Sequence, residues 1–150
     1  DLQGLADLSG QVPIVCLVMG ATAGHAALTA PTSDFVVMTQ TSTMFAAGPP
    51  LVKAATGESV TKEQLGGPQV HVAVSGVAHN LVEDDEGAIA LARRYLSYFP
   101  QNAWEQAPKR DDGDIGERRL DRLLDLISPN TRTPYRMRNV LQLLVDDGSL

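Results

Sequence analysis

One hundred and fifty residues with 43% hydrophobic content suit one packed domain or a piece of a larger one, which excludes a disordered or fibrous chain. Twelve basic against eighteen acidic residues leave a net charge of -6, which repels phosphate backbones and argues against nucleic acid or an anionic membrane as partner. The single cysteine, Cys16, cannot form an internal disulfide and offers no metal cluster, the pattern of a reducing compartment such as the cytoplasm.

The chain opens Asp1-Leu2-Gln3-Gly4 without a starting Met or a basic leader, so it reads as cut from a longer protein. Leu2, Leu5 and Leu8 recur every three positions, which predicts the last turns of a helix stopping near Gly10. Pro13 to Met19 is a continuous apolar run of strand length, the pattern of a strand covered on both faces in an α/β structure. The longer apolar stretch Val12 to Ala23 is interrupted by Pro13, Gly20 and Thr22 and falls short of the roughly 18 residues that span a bilayer. Ala21 to Ala30 is rich in small residues and predicts a tight strand-to-helix turn followed by a short, closely packed helix.

A second strand is predicted over Asp34 to Thr39 and a short one over Ser42 to Ala46, before Gly48-Pro49-Pro50 breaks the chain. A helix fits Leu51 to Thr56. Thr61 and Gln64 have capping-box spacing, so a further short helix starts at Thr61 and ends at Gly66-Gly67. Asp84-Asp85-Glu86 put negative charge where a helix N-terminus favours it, and Ala88, Ile89, Ala92, Leu96 and Phe99 form one apolar stripe ending at Pro100. Gln101 to Gly116 reads as a surface connection, polar from Lys109 to Asp114. Two small amphipathic helices follow, with stripes Leu120, Leu123, Leu124, Ile127 and Met137, Val140, Leu141, Leu144. Both stripes need a surface to cover, in a missing part of the protein or a neighbouring subunit.

Chemistry points first to Gly20-Ala21-Thr22-Ala23-Gly24-His25-Ala26. A glycine at a helix start lets a ligand approach the backbone, and the first N–H groups of a helix lack internal partners and can hold an oxyanion. Taken alone, such a small-residue turn is more often plain close packing. Ser33, Asp34 and the three histidines make no nucleophile, base and acid set at diagnostic spacing. His71 and His79 would share a helix face only across Gly76, and with no third ligand a structural role for each outweighs zinc. Asp84, Asp85 and Glu86 are accounted for by helix capping.

Taken in order, Ala23-Gly24-His25-Ala26, Asp34-Phe35-Val36-Val37-Met38, Thr43-Met44-Phe45 through Gly48-Pro49, Thr56-Gly57-Glu58, Leu65-Gly66-Gly67 and the run from Gly67 to His79 resemble the carboxyltransferase (β) subunit of biotin-dependent acyl-CoA carboxylases, of the propionyl-CoA and methylcrotonyl-CoA carboxylase kinds. The resemblance implies an α/β, crotonase-like (ClpP/crotonase) spiral fold. Residues 1–100 would be the later part of the N-terminal carboxyltransferase domain, and 101–150 a connector with two short amphipathic helices leading to a missing C-terminal domain.

In that family, carboxybiotin on a partner carrier releases CO2, the biotin anion removes the α proton of an acyl-CoA, and the enolate takes up the CO2. The resemblance assigns the backbone N–H groups of Gly24 and His25 to the hole for the thioester oxygen, and Ala23, Ala26, Leu28, Phe45, Gly48 and Pro49 to the surroundings of the bound acyl-CoA. It implies no metal in this segment. The implied partners are a biotin carboxylase and biotin carrier (α) subunit and further copies of the chain, as a hexamer, in the cytoplasm or, in a eukaryote, the mitochondrial matrix.

The residues depart from the family pattern beside the thioester. A second glycine is usual where this chain has His25, and an aromatic and a Ser-Pro pair where it has Leu28, Thr29 and Ala30. A backbone N–H survives the change to histidine; the imidazole either lines the acyl pocket and alters substrate choice or packs away from the ligand. Two alternatives to a carboxylase stand beside it: a non-catalytic assembly homologue, and a biotin-dependent acyl-CoA decarboxylase subunit, which needs the same site by microscopic reversibility. The resemblance also places the biotin-side oxyanion hole beyond Leu150, so these residues alone are expected to be inactive.

Overall fold

The apolar run after Pro13 forms β1, Val15–Val18, in a computed structural model that describes residues 2–109, 120–146 and 150. It pairs in parallel with β3, Phe35–Thr39, in the register Val15↔Phe35 to Val18↔Met38. On its other side β3 pairs in parallel with β5, Asn80–Val82, so the order is β1-β3-β5. Residues 36–39 are 1% exposed or less, as a central parallel strand covered on both faces requires.

A second, two-stranded parallel sheet joins β2, Ala21–Ala23, to β4, Thr43–Phe45. The chain therefore runs β1 into β2, then β3 into β4, and each later strand lies beside its earlier counterpart. One coil stacks on the previous one, which is a spiral. The corner is tied by the Thr43 N–H donating to Gly20 O at 3.2 Å and the Ser42 hydroxyl donating to Thr39 O at 2.8 Å. Val18, Ala27, Ala30, Val36, Met38, Met44 and Ala78 form the core between the coils.

The helices follow their local signals. α1, Leu2–Leu8, is followed by Gly10 at φ +78°. α2 runs Pro49–Thr56, two residues earlier than the sequence predicts because prolines suit a first helical turn, and Gly57 at φ +79° caps it. In α3, Lys62–Gly66, the capping box is formed in full. The Gln64 N–H donates to Thr61 Oγ1 at 3.1 Å, and the Thr61 N–H donates to Gln64 Oε1 at 3.0 Å. Thr61→Ala should lower unfolding free energy by about 1 kcal/mol, read as a shifted urea midpoint at constant slope. An unchanged midpoint would show that the box does not stabilise α3.

Besides β2, two elements had no counterpart in the sequence reading: α4, Pro68–Ala73, and β5. α4 stops at Ala73, before Gly76, which adopts φ +69°, so no continuous helix joins His71 to His79. α5, Asp85–Leu96, is capped by the Asp84 carboxylate accepting from the Gly87 N–H at 2.8 Å. Its buried face is centred on Ala88 and Ala92, whose small side chains let the helix lie close on β3, and Tyr95 stacks on Phe35 at 4.3 Å. Ile89 and Leu96, expected in the stripe, remain 44% and 42% exposed.

The chain divides into two compact units, Asp1–Pro108 and Lys109–Leu150. Of the expected surface connection, residues 101–109 carry no helix or strand, whereas 110–119, with most of the polar run, lie outside the described residues. In the second unit the stripes form α6, Arg122–Leu126, and α7, Met137–Leu144; Val140 is buried, while Leu124, Met137, Leu141 and Leu144 are exposed.

Candidate active site

The segment singled out in the sequence differs in form from the expected strand, turn and helix. After β1 the chain first makes β2 and only then a 3₁₀ helix, Gly24–Leu28. Ala23 is extended (φ -137°, ψ 154°) and Gly24 swings to φ +65°, a conformation natural to glycine and costly for other residues. A 3₁₀ helix bonds each N–H to the carbonyl three residues back. The amides of Gly24 and His25 thus precede the first intrahelical bond and have no acceptor inside the helix.

The two faces of this helix differ. Ala27 is buried in the core, as is Ala30 just beyond the helix, whereas His25, Ala26 and Leu28, and Ala23 before them, are exposed. A Cβ built on Gly24 would meet nothing within 4 Å apart from its chain neighbours, so the residue is open on that side. Strand pairing sets Phe45 beside Ala23. Gly48 and Gly66 flank its ring, each bare enough that an added Cβ would stand 3.5 and 3.2 Å from ring carbons. Gly48 N-caps α2, and Pro49 and Pro50 carry no N–H, so that helix start lacks two of the donors an anion would need. The predicted residues Ala23, Gly24, His25, Ala26 and Phe45 therefore come together at the exit of the β2–β4 ribbon; Gly48 lies against the Phe45 ring, Pro49 begins α2, and Leu28 ends the 3₁₀ helix.

The remaining chemical groups are tied into the fold. His71 Nε2 lies 2.7 Å from Met44 O and must carry the proton, because a carbonyl oxygen only accepts; Nδ1 then accepts from the Ser75 hydroxyl at 3.1 Å. His79 donates its backbone N–H to Val36 O at 2.9 Å and accepts the Val36 N–H on Nδ1, also at 2.9 Å. The Asp34 carboxylate accepts from the Ile14 N–H at 2.8 Å and clamps the entries of β1 and β3 together. Burial pushes the Cys16 thiol up from its ordinary value, opposed by a hydrogen bond with Thr29. Among the described residues no three of His, Cys, Asp and Glu gather to hold a metal, and no helix is long and apolar enough to cross a membrane.

A cavity of about 460 Å³ opens elsewhere in this unit, between Val12, Asp34, Tyr95 and Phe99, where burial and then the Asp34 charge push the Tyr95 phenol up. The tie from His71 to Met44 was not legible in advance. A histidine four residues before a serine signals that the ring can be oriented, but not which strand it reaches.

Residues 3–150 match the family model of the carboxyl transferase domain. The chain belongs to that family. It is 41% identical over 141 residues to the methylmalonyl-CoA decarboxylase subunit alpha of Veillonella parvula, covering 93% of this chain and 28% of the relative. It is 40% identical over 144 residues to the propionyl-CoA carboxylase carboxyltransferase subunit of Haloferax mediterranei, covering 95% and 28%. Among solved structures it superposes on transcarboxylase 12S, a hexamer with methylmalonyl-CoA bound, with a TM-score of 0.82 at 35% identity over 96% of this chain and 28% of that one. The carboxyl transferase fold, crotonase-like and mixed α/β, is thus the fold of this chain, which spans little more than a quarter of the length of these relatives.

Proposed function

We propose that the chain is the acyl-CoA-binding part of a carboxyltransferase subunit, which moves a carboxyl group onto the α carbon of an acyl-CoA within a biotin-dependent acyl-CoA carboxylase. The observation that carries this reading is the match to the carboxyl transferase domain along almost the whole chain. The local geometry agrees with it. When the α proton leaves an acyl-CoA, negative charge collects on the thioester oxygen. The Gly24 and His25 amides precede the first intrahelical bond, on a segment whose Gly24 is open on its Cβ side, and a donor aimed at that oxygen contributes about 2.7 to 4 kcal/mol of transition-state stabilisation. Ala23, Ala26, Leu28, Phe45, Gly48 and Pro49 border the acyl group and its CoA, and the His25 imidazole adds a polar wall.

Carboxybiotin, carried by a partner protein, supplies the CO2 and the base when bound; no residue of this chain is proposed to hold it. That division of labour suits a site in which His71 and His79 are committed to backbone partners. The reading further proposes a biotin carboxylase and carrier (α) subunit as partner, assembly as a homohexamer, a cytoplasmic or mitochondrial-matrix setting, and an overall ligase reaction driven by ATP on the partner. The 41% identity to a decarboxylase subunit favours one alternative, the same transfer run from a malonyl-type CoA ester to biotin.

The test is to supply the full-length protein and its biotin-bearing partner with ATP, labelled bicarbonate and a panel of acyl-CoAs, and separately to follow loss of the carboxyl group from methylmalonyl-CoA onto free biotin. Label fixed in a malonyl-type product supports the carboxylase; transfer in the second assay alone supports the decarboxylase. Silence in both from folded protein overturns the enzymatic reading and leaves an assembly subunit. Residues 1–150 alone should show no turnover in either assay.

A further inference from the structure

We propose that His71 is a positioning residue for the amides of Gly24 and His25, acting through strand β4 and touching no substrate; the proposal rests on the reading of those amides as the thioester oxygen site. The ribbon that delivers Gly24 is only three residues long on each strand, and a two-stranded sheet of that size does not hold itself in place. Its β4 strand must be fixed from outside.

Thr43 turns its N–H toward β2, to Gly20 O, and backbone groups alternate in direction along a strand, so the carbonyl of Met44 points away from β2. Two things meet that carbonyl. Gly66, at the end of α3, comes so close that a Cβ there would lie 1.9 Å from Met44 O. From α4, the His71 Nε2–H donates to the same oxygen at 2.7 Å, and Ser75 holds the other ring nitrogen at 3.1 Å. Met44 lies opposite Thr22, Phe45 opposite Ala23, and Gly24 is the next residue. A lateral shift of β4 thus passes directly into the two amides, and a displacement of about 1 Å at a reacting centre costs on the order of 100-fold in rate.

The experiment uses the full-length protein and compares binding of an acyl-CoA thioester with its thioether analogue, in which a methylene replaces the carbonyl and leaves the amides nothing to bind. The wild type should favour the thioester. His71→Leu should cut that preference about tenfold and lower kcat more than it raises KM; His71→Gln, which keeps an N–H donor, should recover most of both; and Ser75→Ala should move both in the same direction by a smaller factor. Should His71→Leu not fold, Ser75→Ala and His71→Gln give the same ratio. If every variant weakens thioester and thioether equally, His71 only supports the fold and the proposal is overturned while the oxygen site stands. A wild type that does not tell the two ligands apart overturns the oxygen site and the proposal with it.

Discussion

On the proposed reading of its amide as an oxyanion donor, Gly24→Ala in the full-length protein should lower kcat for carboxyl transfer by about 100-fold while leaving a folded protein. Two properties of the position separate these effects. Its φ of +65° costs an L-residue about 1–2 kcal/mol, and relief of that strain turns the amide away from its present direction. Beyond its chain neighbours the added methyl meets no protein atom within 4 Å, so no clash there would unfold the chain; the methyl instead enters the open space proposed for the thioester. Gly57 is the control, with φ +79° and nothing near its Cβ position, but lying at the end of α2. Gly57→Ala should cost similar stability in urea and little activity. Equal kinetic losses in the two variants would mean that strain, and not the placement of the Gly24 amide, governs the rate.

The legible parts of this chain are those whose signals are local. β1 and β3 are continuous apolar runs, and the caps at Thr61 and Asp84 depend on residues three positions away, so sequence spacing and observed bonds coincide. The candidate site was legible as a segment but not in its form. Ala21-Thr22-Ala23 has no strand signature of its own and becomes β2 through pairing with β4, a partner some twenty residues on that local spacing does not reveal. α4 and β5 were missed for the same reason. Each is six residues or fewer, and β5 exists through its pairing with β3, an interaction between residues some forty positions apart, Val37 and Asn80. Within α5, a stripe drawn at helical spacing included Ile89 and Leu96, whereas close approach to β3 selects the face bearing the smallest side chains, Ala88 and Ala92.

Gly66→Ala should damage the protein in the opposite way to Gly24→Ala, through folding. The new Cβ would stand 1.9 Å from Met44 O and 2.8 Å from Met44 C, both backbone atoms of a strand whose other edge is bonded to β2. A flexible side chain can swing aside; a carbonyl in a ladder moves only with its strand. The methyl therefore forces α3 off β4 or β4 off β2, and in the second case His71 loses its acceptor as well. Overpacking of this kind costs about 1–3 kcal/mol where neighbours can adjust, and more is expected here because the obstacle is main chain. Against a total stability of about 5–15 kcal/mol, that is enough to lower the urea midpoint strongly and deplete soluble protein. Because the obstruction is the carbonyl, adding Met44→Ala should give no rescue despite the volume it frees. A Gly66→Ala protein with an unshifted midpoint, or one restored by Met44→Ala, would show that α3 does not rest on the β4 backbone and that the brace on the Gly24 ribbon must come from elsewhere.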